Sequence, residues 1–158
     1  MIRECLEADF EAILEIINDA AQAYRRIIPL DCWHDPYMPR EELRGEISAG
    51  VSFLGYEKEE ELIGVMGTQD VQDVMLIRHA YVRTAHRNQG IGGELLDQIM
   101  DGATRPILIG TWADAFWAIS FYEHHSFTLV SQGEKERLLR KYWSVSDRQI
   151  ETSVVLST

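Results

Sequence analysis

Leu76-Ile77-Arg78-His79-Ala80-Tyr81-Val82, followed by His86-Arg87-Asn88-Gln89-Gly90-Ile91-Gly92-Gly93-Glu94-Leu95-Leu96, decides how this chain is read. The first run is a strand-like apolar stretch. The second is a glycine-bearing loop that passes without a break into a helix. Ile91, Leu95 and Ile99, with Leu96 and Met100 beside them, recur at helical spacing, and Glu94, Asp97, Gln98 and Asp101 take the opposite face. A strand that turns through glycines into a helix N-terminus leaves several backbone N–H groups unpaired, with the positive end of the helix dipole behind them. Such a terminus suits a phosphate or pyrophosphate. Gly90 and Gly92 would equally serve a plain tight turn, so the residues around them must discriminate.

A nucleotide-triphosphate loop closes with Gly-Lys-Ser/Thr, the lysine reaching the terminal phosphates. Here Gly93-Glu94-Leu95 closes the loop, and a glutamate would repel those phosphates. A dinucleotide fingerprint requires Gly-x-Gly-x-x-Gly, and Leu95 stands where its third glycine would be. Arg87-Asn88-Gln89-Gly90-Ile91-Gly92 does fit Arg/Gln-x-x-Gly-x-Gly/Ala. Downstream comes Ala118-Ile119-Ser120-Phe121-Tyr122-Glu123-His124-His125-Ser126-Phe127. The first segment resembles the acetyl-coenzyme A loop of the GNAT superfamily of N-acetyltransferases, small-molecule type. The second is similar to that family's Ala-x-x-Phe-Tyr-Glu stretch ending in Gly-Phe. Tyr81 to Arg87 also looks like the exit of the family's fourth strand.

Outward from these motifs the chain reads as one domain over residues 1–158. Ile2 to Leu6 suggests a first strand. Phe10, Ile13, Leu14, Ile17, Ala20, Ala21 and Tyr24 then mark a helix, with Glu7 or Asp9 as capping acceptor. Residues 27–38 are irregular, broken by Pro29 and Pro36. Pro39 opens a short helix that Gly50 can stop. Val51 to Glu57, Leu62 to Gln69 and the strand ending near Val82 form an antiparallel meander. Ile107 to Trp112 is an apolar run expected to be covered on both faces. Asp114 is placed to cap a helix over 115–123 that is apolar almost all round and so expected to be buried. Phe127 to Val130 and Ile150 to Leu156 supply the closing strands. The predicted class is α/β: a mixed, mostly antiparallel sheet of about six to seven strands with helices on both faces. The resemblance implies the same fold, with strands four and five splayed apart.

Composition narrows the function. Hydrophobic content of 46% and charged content of 26% are those of a soluble globular protein. No apolar stretch reaches membrane-spanning length and the N-terminus has no secretory layout. Cys5 and Cys32 make no metal spacing, and a reducing cytoplasm is the expected compartment. A net charge of −11 repels polyanions, so no nucleic-acid partner is expected. Lys135, Arg137, Arg140 and Lys141 alternate with Glu134 and Glu136 as a solvated helix face does. His124 and His125 diverge on a helix, and no metal is expected.

The resemblance implies acetyl-coenzyme A as co-substrate and transfer to the primary amine of a small-molecule or amino-acid-like acceptor, by direct attack in a ternary complex. It implies that Tyr81, Val82 and Arg83 offer backbone groups to the pantetheine arm. Arg87, Asn88, Gln89, Gly90, Ile91, Gly92 and Gly93 would hold the pyrophosphate, mainly through amides, and Phe121 would flank the cofactor. It makes Tyr122 the general acid. Reference values put a phenol only ~1–2 pKa units from a coenzyme A thiol, so this proton transfer is not costly. Trp33, His34 and Tyr37 are the expected acceptor contacts, with Tyr142 and Trp143 as a second group able to hold a cation. The general base stays open. Counting by twos from Val82 puts Ala80, Arg78 and Leu76 on one face and His79 on the other, so His79 serves only if a bulge shifts the register. Water, His34 or Asp35, or an acceptor that binds already neutral are the other options. Two departures from the family stand out: Ala115 replaces the usual asparagine, and Ser126 replaces the glycine before Phe127. The missing strand-four base and the absent asparagine motivate one alternative, a non-catalytic acyl-coenzyme A-binding module; the aromatics motivate another, a dimeric interaction protein, and a homodimer is an option such folds leave open.

Overall fold

The structure is a computed structural model describing residues 1–158. Ile2–Glu4 (β1) opens the chain, and a short 3₁₀ turn leads into Phe10–Ala21 (α1). Phe10, Ile13, Ile16, Ile17, Ala20 and Ala21 are buried on one face of α1, the stripe that helical periodicity demands. Asp9 accepts the Leu6 N–H at 2.7 Å, so it caps the 3₁₀ turn rather than α1, and it pairs with Arg3 at 2.8 Å. That contact fastens β1 to the start of α1.

The Arg3 guanidinium and the Leu6 amide hold the Asp9 carboxyl down at about 2, against its ordinary 3.8. A depressed carboxylate contributes stability above its ordinary value, and the contribution is lost as pH falls through the depressed one. We therefore expect melting temperature to fall between about pH 4 and pH 2, and Asp9→Asn to flatten that part of the profile. An equally steep acid limb in the variant would remove Asp9 from the account.

Arg40–Ser48 (α2) follows, with Pro39 at its N-cap and Gly50, at φ 108°, reversing the chain after it. Ser52–Lys58 (β2), Glu61–Val71 (β3) and Val74–Val82 (β4) form the expected meander. Six consecutive residues of β3, Leu62 to Gly67, are buried, as suits a central strand covered on both sides. The glycine loop then enters Ile91–Gly102 (α3). Ile107–Trp112 (β5), Phe116–His124 (α4), Thr128–Leu129 (β6), Gln132–Tyr142 (α5), Asp147–Glu151 (α6) and Ser153–Ser157 (β7) complete the chain.

The seven strands make one sheet in the order β1-β2-β3-β4-β5-β7-β6, with β4–β5 the single parallel pair. Helices α3 and α4 cover one face through Ile91, Leu95, Ile99 and Tyr122, packed on Ile63, Met66, Ile77 and Ile109. The other face carries α1 and α2 on Phe53, Leu62 and Val65, and α5 and α6 on Leu76, Leu108 and Val155.

Three expectations change. Asp114 does not cap α4; Ala115 holds the N-cap position without a side-chain bond. Nor is α4 buried all round, because only Ala118 and Tyr122 are enclosed, while Phe116 is 71% and Trp117 40% exposed. The last predicted strand, from Ile150, starts later, since Ile150 belongs to α6 and the strand begins at Ser153. The basic group rides on α5, where Arg137–Glu134 and Arg140–Glu136 pairs line the exposed side, but Lys135 is buried rather than solvated. No helix is long and apolar enough to cross a membrane.

Candidate active site

Strands β4 and β5 pair only at Met75–Ile107, Leu76–Leu108 and Ile77–Ile109. Beyond Ile77, β4 runs on to Val82 without a β5 partner, while Gly110 to Trp112 of β5 pair only with β7 on the opposite edge. A wedge-shaped gap therefore opens in the middle of the sheet. On its far side β4 still pairs with β3, and the Arg83 N–H donates to the Ile63 carbonyl at 2.8 Å. Strand alternation then aims the N–H and C=O of Val82 the other way, into the gap.

The cause of the divergence is a bulge. Gly67 pairs with Arg78 and Val65 with Tyr81, so Met66 alone opposes both His79 and Ala80. His79 takes the left-handed conformation, φ 56°. A Cβ at Gly67 would lie 2.7 Å from the Arg78 carbonyl oxygen, so only glycine lets the bulged strand come this close. The bulge also flips the faces. Ile77, Ala80 and Val82 pack toward α3, whereas Tyr81 packs toward α1, and His79 stacks on Phe53 of that same side at 6.3 Å. Simple alternation from Val82 fails here. Arg78, His79, Ala80 and Tyr81 all line one cavity, which four consecutive residues of a regular strand cannot do.

The glycine loop presents its backbone outward. Asn88 (φ 61°) and Gly90 (φ 80°) are both left-handed, a geometry that turns successive amides toward one concavity. None of the amides from Asn88 to Gly93 has a protein acceptor; the first helical donor that finds one is Glu94, bonded to the Gly90 carbonyl. Arg87 has no ion-pair partner. The side chain of Ile91 is buried under the sheet, so its amide is all it can offer. Phe121 packs beside Gly92, 3.5 Å from where a Cβ would stand. Gln89 is exposed. Arg83 is already engaged: its amide is spent on Ile63, its Nε donates to the Leu62 carbonyl, and its guanidinium pairs with Glu15. Its backbone N–H is therefore not free for a cofactor, while Nη2 of the guanidinium has no protein hydrogen bond.

Two cavities open from the gap. One, about 320 Å³, runs from the loop between Arg87, Asn88, Gly92, Val82 and Phe121. The other, about 180 Å³, lies between β4 and β5 among Tyr37, Arg78, His79, Trp112 and Trp143. Tyr24, Ala80, Tyr81 and Tyr122 belong to both linings, so the cavities meet there. The Tyr122 hydroxyl has no protein hydrogen-bond partner, and its ring is 6% exposed. Burial pushes its pKa far up, as it does for Tyr81, and raises Tyr24 to about 12. These phenols stay protonated throughout the ordinary pH range. The narrow phenol–thiol gap expected from reference values is thus widened by burial.

Of the expected acceptor contacts, Tyr37 lines the smaller cavity. Trp33 does not line the cavity; it packs on Tyr37 at 5.5 Å and under the Arg25 guanidinium, while its Nε1 donates to Asp35. His34 is exposed and bonds the Pro36 carbonyl within its own loop. Trp143 lines the cavity, but Tyr142 is buried against α5's core and donates to Asp73 at 2.6 Å. Periodicity explains Tyr24 as a helical core residue and Trp112 as part of an apolar strand, so neither stands out as a site residue; the structure places Tyr24 in the 3₁₀ turn after α1 and both in the cavity lining. The Ala115 methyl is fully buried.

Known proteins agree with this architecture. A model of the acetyltransferase (GNAT) family matches residues 10–127. No curated protein sequence matches the chain. The solved PaiA N-acetyltransferase from Thermoplasma acidophilum, in complex with coenzyme A, superposes with a TM-score of 0.72 at 17% identity, over 100% of this chain and 97% of that one. An acetyltransferase of the GNAT family from Staphylococcus aureus Mu50 gives 0.73 at 18% identity, over 99% and 96%. YncA from Salmonella typhimurium, solved with its cofactor acetyl-CoA, gives 0.64 at 22% identity, over 83% and 80%. At such identities the likeness is one of fold.

Proposed function

The chain belongs to the GNAT acetyltransferase family, and from that premise we propose that it moves an acetyl group from acetyl-coenzyme A to the primary amine of a small-molecule or amino-acid-like acceptor. One domain over residues 1–158 carries the whole reaction, by direct attack with both ligands bound. The observation that carries this reading is the meeting of two separately lined cavities at Tyr24, Ala80, Tyr81 and Tyr122 inside an open sheet.

The larger cavity fits the acyl donor. Free amides from Asn88 to Gly93, at a helix N-terminus with unpaired Arg87 beside them, suit a diphosphate. Its mostly apolar walls suit a pantetheine arm, and the inward backbone of Val82 offers that arm a partner strand. The smaller cavity limits the acceptor. About 180 Å³ walled by Tyr24, Tyr37, Tyr81, Trp112 and Trp143 takes a small amine, and no unpaired charge lines it, since Arg78 is bound to Glu46 and Gln69.

Transfer makes a C–N bond and breaks a C–S bond. A backbone N–H in the gap polarises the thioester carbonyl as negative charge gathers on its oxygen. Tyr122 protonates the departing sulfur. Because burial makes its phenolate costly, the donation runs together with recapture of a proton from the attacking nitrogen rather than as a separate step.

Thermal melting with acetyl-coenzyme A tests the reading. At 100-fold excess over Kd a ligand stabilises by about 2.7 kcal/mol, which for a domain of this size is a shift of roughly 5–10 °C. A thiol-release screen over primary amines should then give turnover. No shift at millimolar acetyl-coenzyme A would end the proposal.

A further inference from the structure

The bulge places His79 between Glu46 and the acceptor cavity. Its Nε2 lies 2.7 Å from Glu46 Oε1, and its side chain is 11% exposed. The other ring nitrogen, Nδ1, has no protein partner and is not sealed off, and the ring lines the acceptor cavity beside Tyr81. Glu46 arrives from α2 and is itself held by Arg78 at 2.7 Å. Burial pushes the Glu46 carboxyl up, but the bonds from His79 and Arg78 outweigh it and leave the group below its ordinary value, so it is an anion at neutral pH. A carboxylate on one imidazole nitrogen fixes that nitrogen as the N–H and leaves the other with a free lone pair.

Resting on the acetyl-transfer reading above, we propose that His79 Nδ1 is the proton acceptor for the incoming amine and that Glu46 is its positioning residue. The acceptor enters as an ammonium ion. Its proton passes to Nδ1, giving an imidazolium that the Glu46 carboxylate stabilises through Nε2–H. The neutral nitrogen attacks the thioester carbon, forming the C–N bond. As the C–S bond breaks, the second nitrogen proton replaces the one that Tyr122 gives to sulfur. The products are the acetamide and the free thiol, and His79 returns its proton to water. The ring is faced by Glu46 from α2, by Arg78 and Tyr81 from β4 and by Phe53 from β2, and Tyr37 from the loop before α2 lines the same cavity; Glu42, one turn before Glu46, is felt at Tyr37. Tyr37 and Tyr81 are held protonated by burial, so Glu46 and Arg78 are the charges that act on the ring.

The test compares benzylamine, an ammonium ion at neutral pH, with aniline, which is already neutral. For benzylamine, kcat/KM should rise with pH and then level. His79→Gln should remove that acid limb and lower the plateau by about 10²-fold or more, while aniline loses little. Glu46→Gln should move the limb to lower pH, because the anion that favours imidazolium is gone. A benzylamine profile unchanged in His79→Gln overturns the proposal and leaves acetyl transfer standing. Failure of the wild type to bind acetyl-coenzyme A would instead remove the underlying reading. Should neither probe amine react, nitrogen NMR of the labelled imidazoles decides: a neutral Nε2–H tautomer at pH 8, lost in Glu46→Gln, is expected. An Nδ1–H tautomer or a ring still protonated at that pH overturns the assignment.

Discussion

Tyr122→Phe is expected to lower kcat by about 10²–10⁴-fold, the range that a positioned proton donor contributes. Acetyl-coenzyme A affinity and melting temperature should scarcely change. The substitution removes one oxygen from a ring that packs edge-on against Phe121 at 5.0 Å and Phe127 at 5.7 Å, so phenylalanine fills the same space. No protein hydrogen bond is lost with the hydroxyl. Steady-state kinetics beside a melting curve make the comparison. A variant with wild-type kcat would take the acid role away from Tyr122. Binding without turnover in the wild-type protein would favour the non-catalytic acyl-coenzyme A-binding module.

The second large effect belongs to Gly67→Ala. The added methyl would meet the Arg78 carbonyl oxygen at 2.7 Å and Phe53 at 3.0 Å, and the first of these is backbone. Overpacking of this kind costs about 1–3 kcal/mol, roughly 2–12 °C in melting temperature for a domain of this length. Since relief requires the bulge to move, activity should fall further than stability alone predicts. Urea unfolding and turnover of the surviving folded fraction would separate the two losses. If the alanine protein matches wild type in both, the bulge does not depend on the bare glycine.

These two predictions mark the boundary of what could be read from residues. Local periodicity exposed α1, the meander and α3, since each buries one face through a regular repeat. The loop was legible because Arg87 to Gly92 fits a short pattern set between a strand and a helix, with the Ala118–Phe127 motif downstream to discriminate it from a plain turn. The bulge was not legible. Its left-handed residue is His79 rather than glycine or asparagine, and the glycine that permits it, Gly67, sits on the neighbouring strand. With the bulge hidden, the face count along β4 went astray and His79 looked misdirected. Short-range signals also misled around α4. Its apolar composition suggested burial, yet its first turn overhangs the cavity, where Trp117 meets Tyr24 at 5.1 Å. Arg83 looked free in the sequence because its engagement with Ile63, Leu62 and Glu15 spans distant segments. The irregular 27–38 stretch gave Tyr37 to the cavity but kept Trp33 and His34 for itself, a division that no pattern in that loop encodes.

Only three rungs of hydrogen bonding, at Met75 to Ile77, join the four-stranded half of the sheet to the three-stranded half. That seam is short, so motion of the two halves about it is opposed mainly by the helices packed across it. A ligand arm laid along Val82 would lace that seam and damp the motion on both sides at once. Deuterium uptake by the end of β4 and by α4 should then slow together when acetyl-coenzyme A is added, even at amides the ligand never touches.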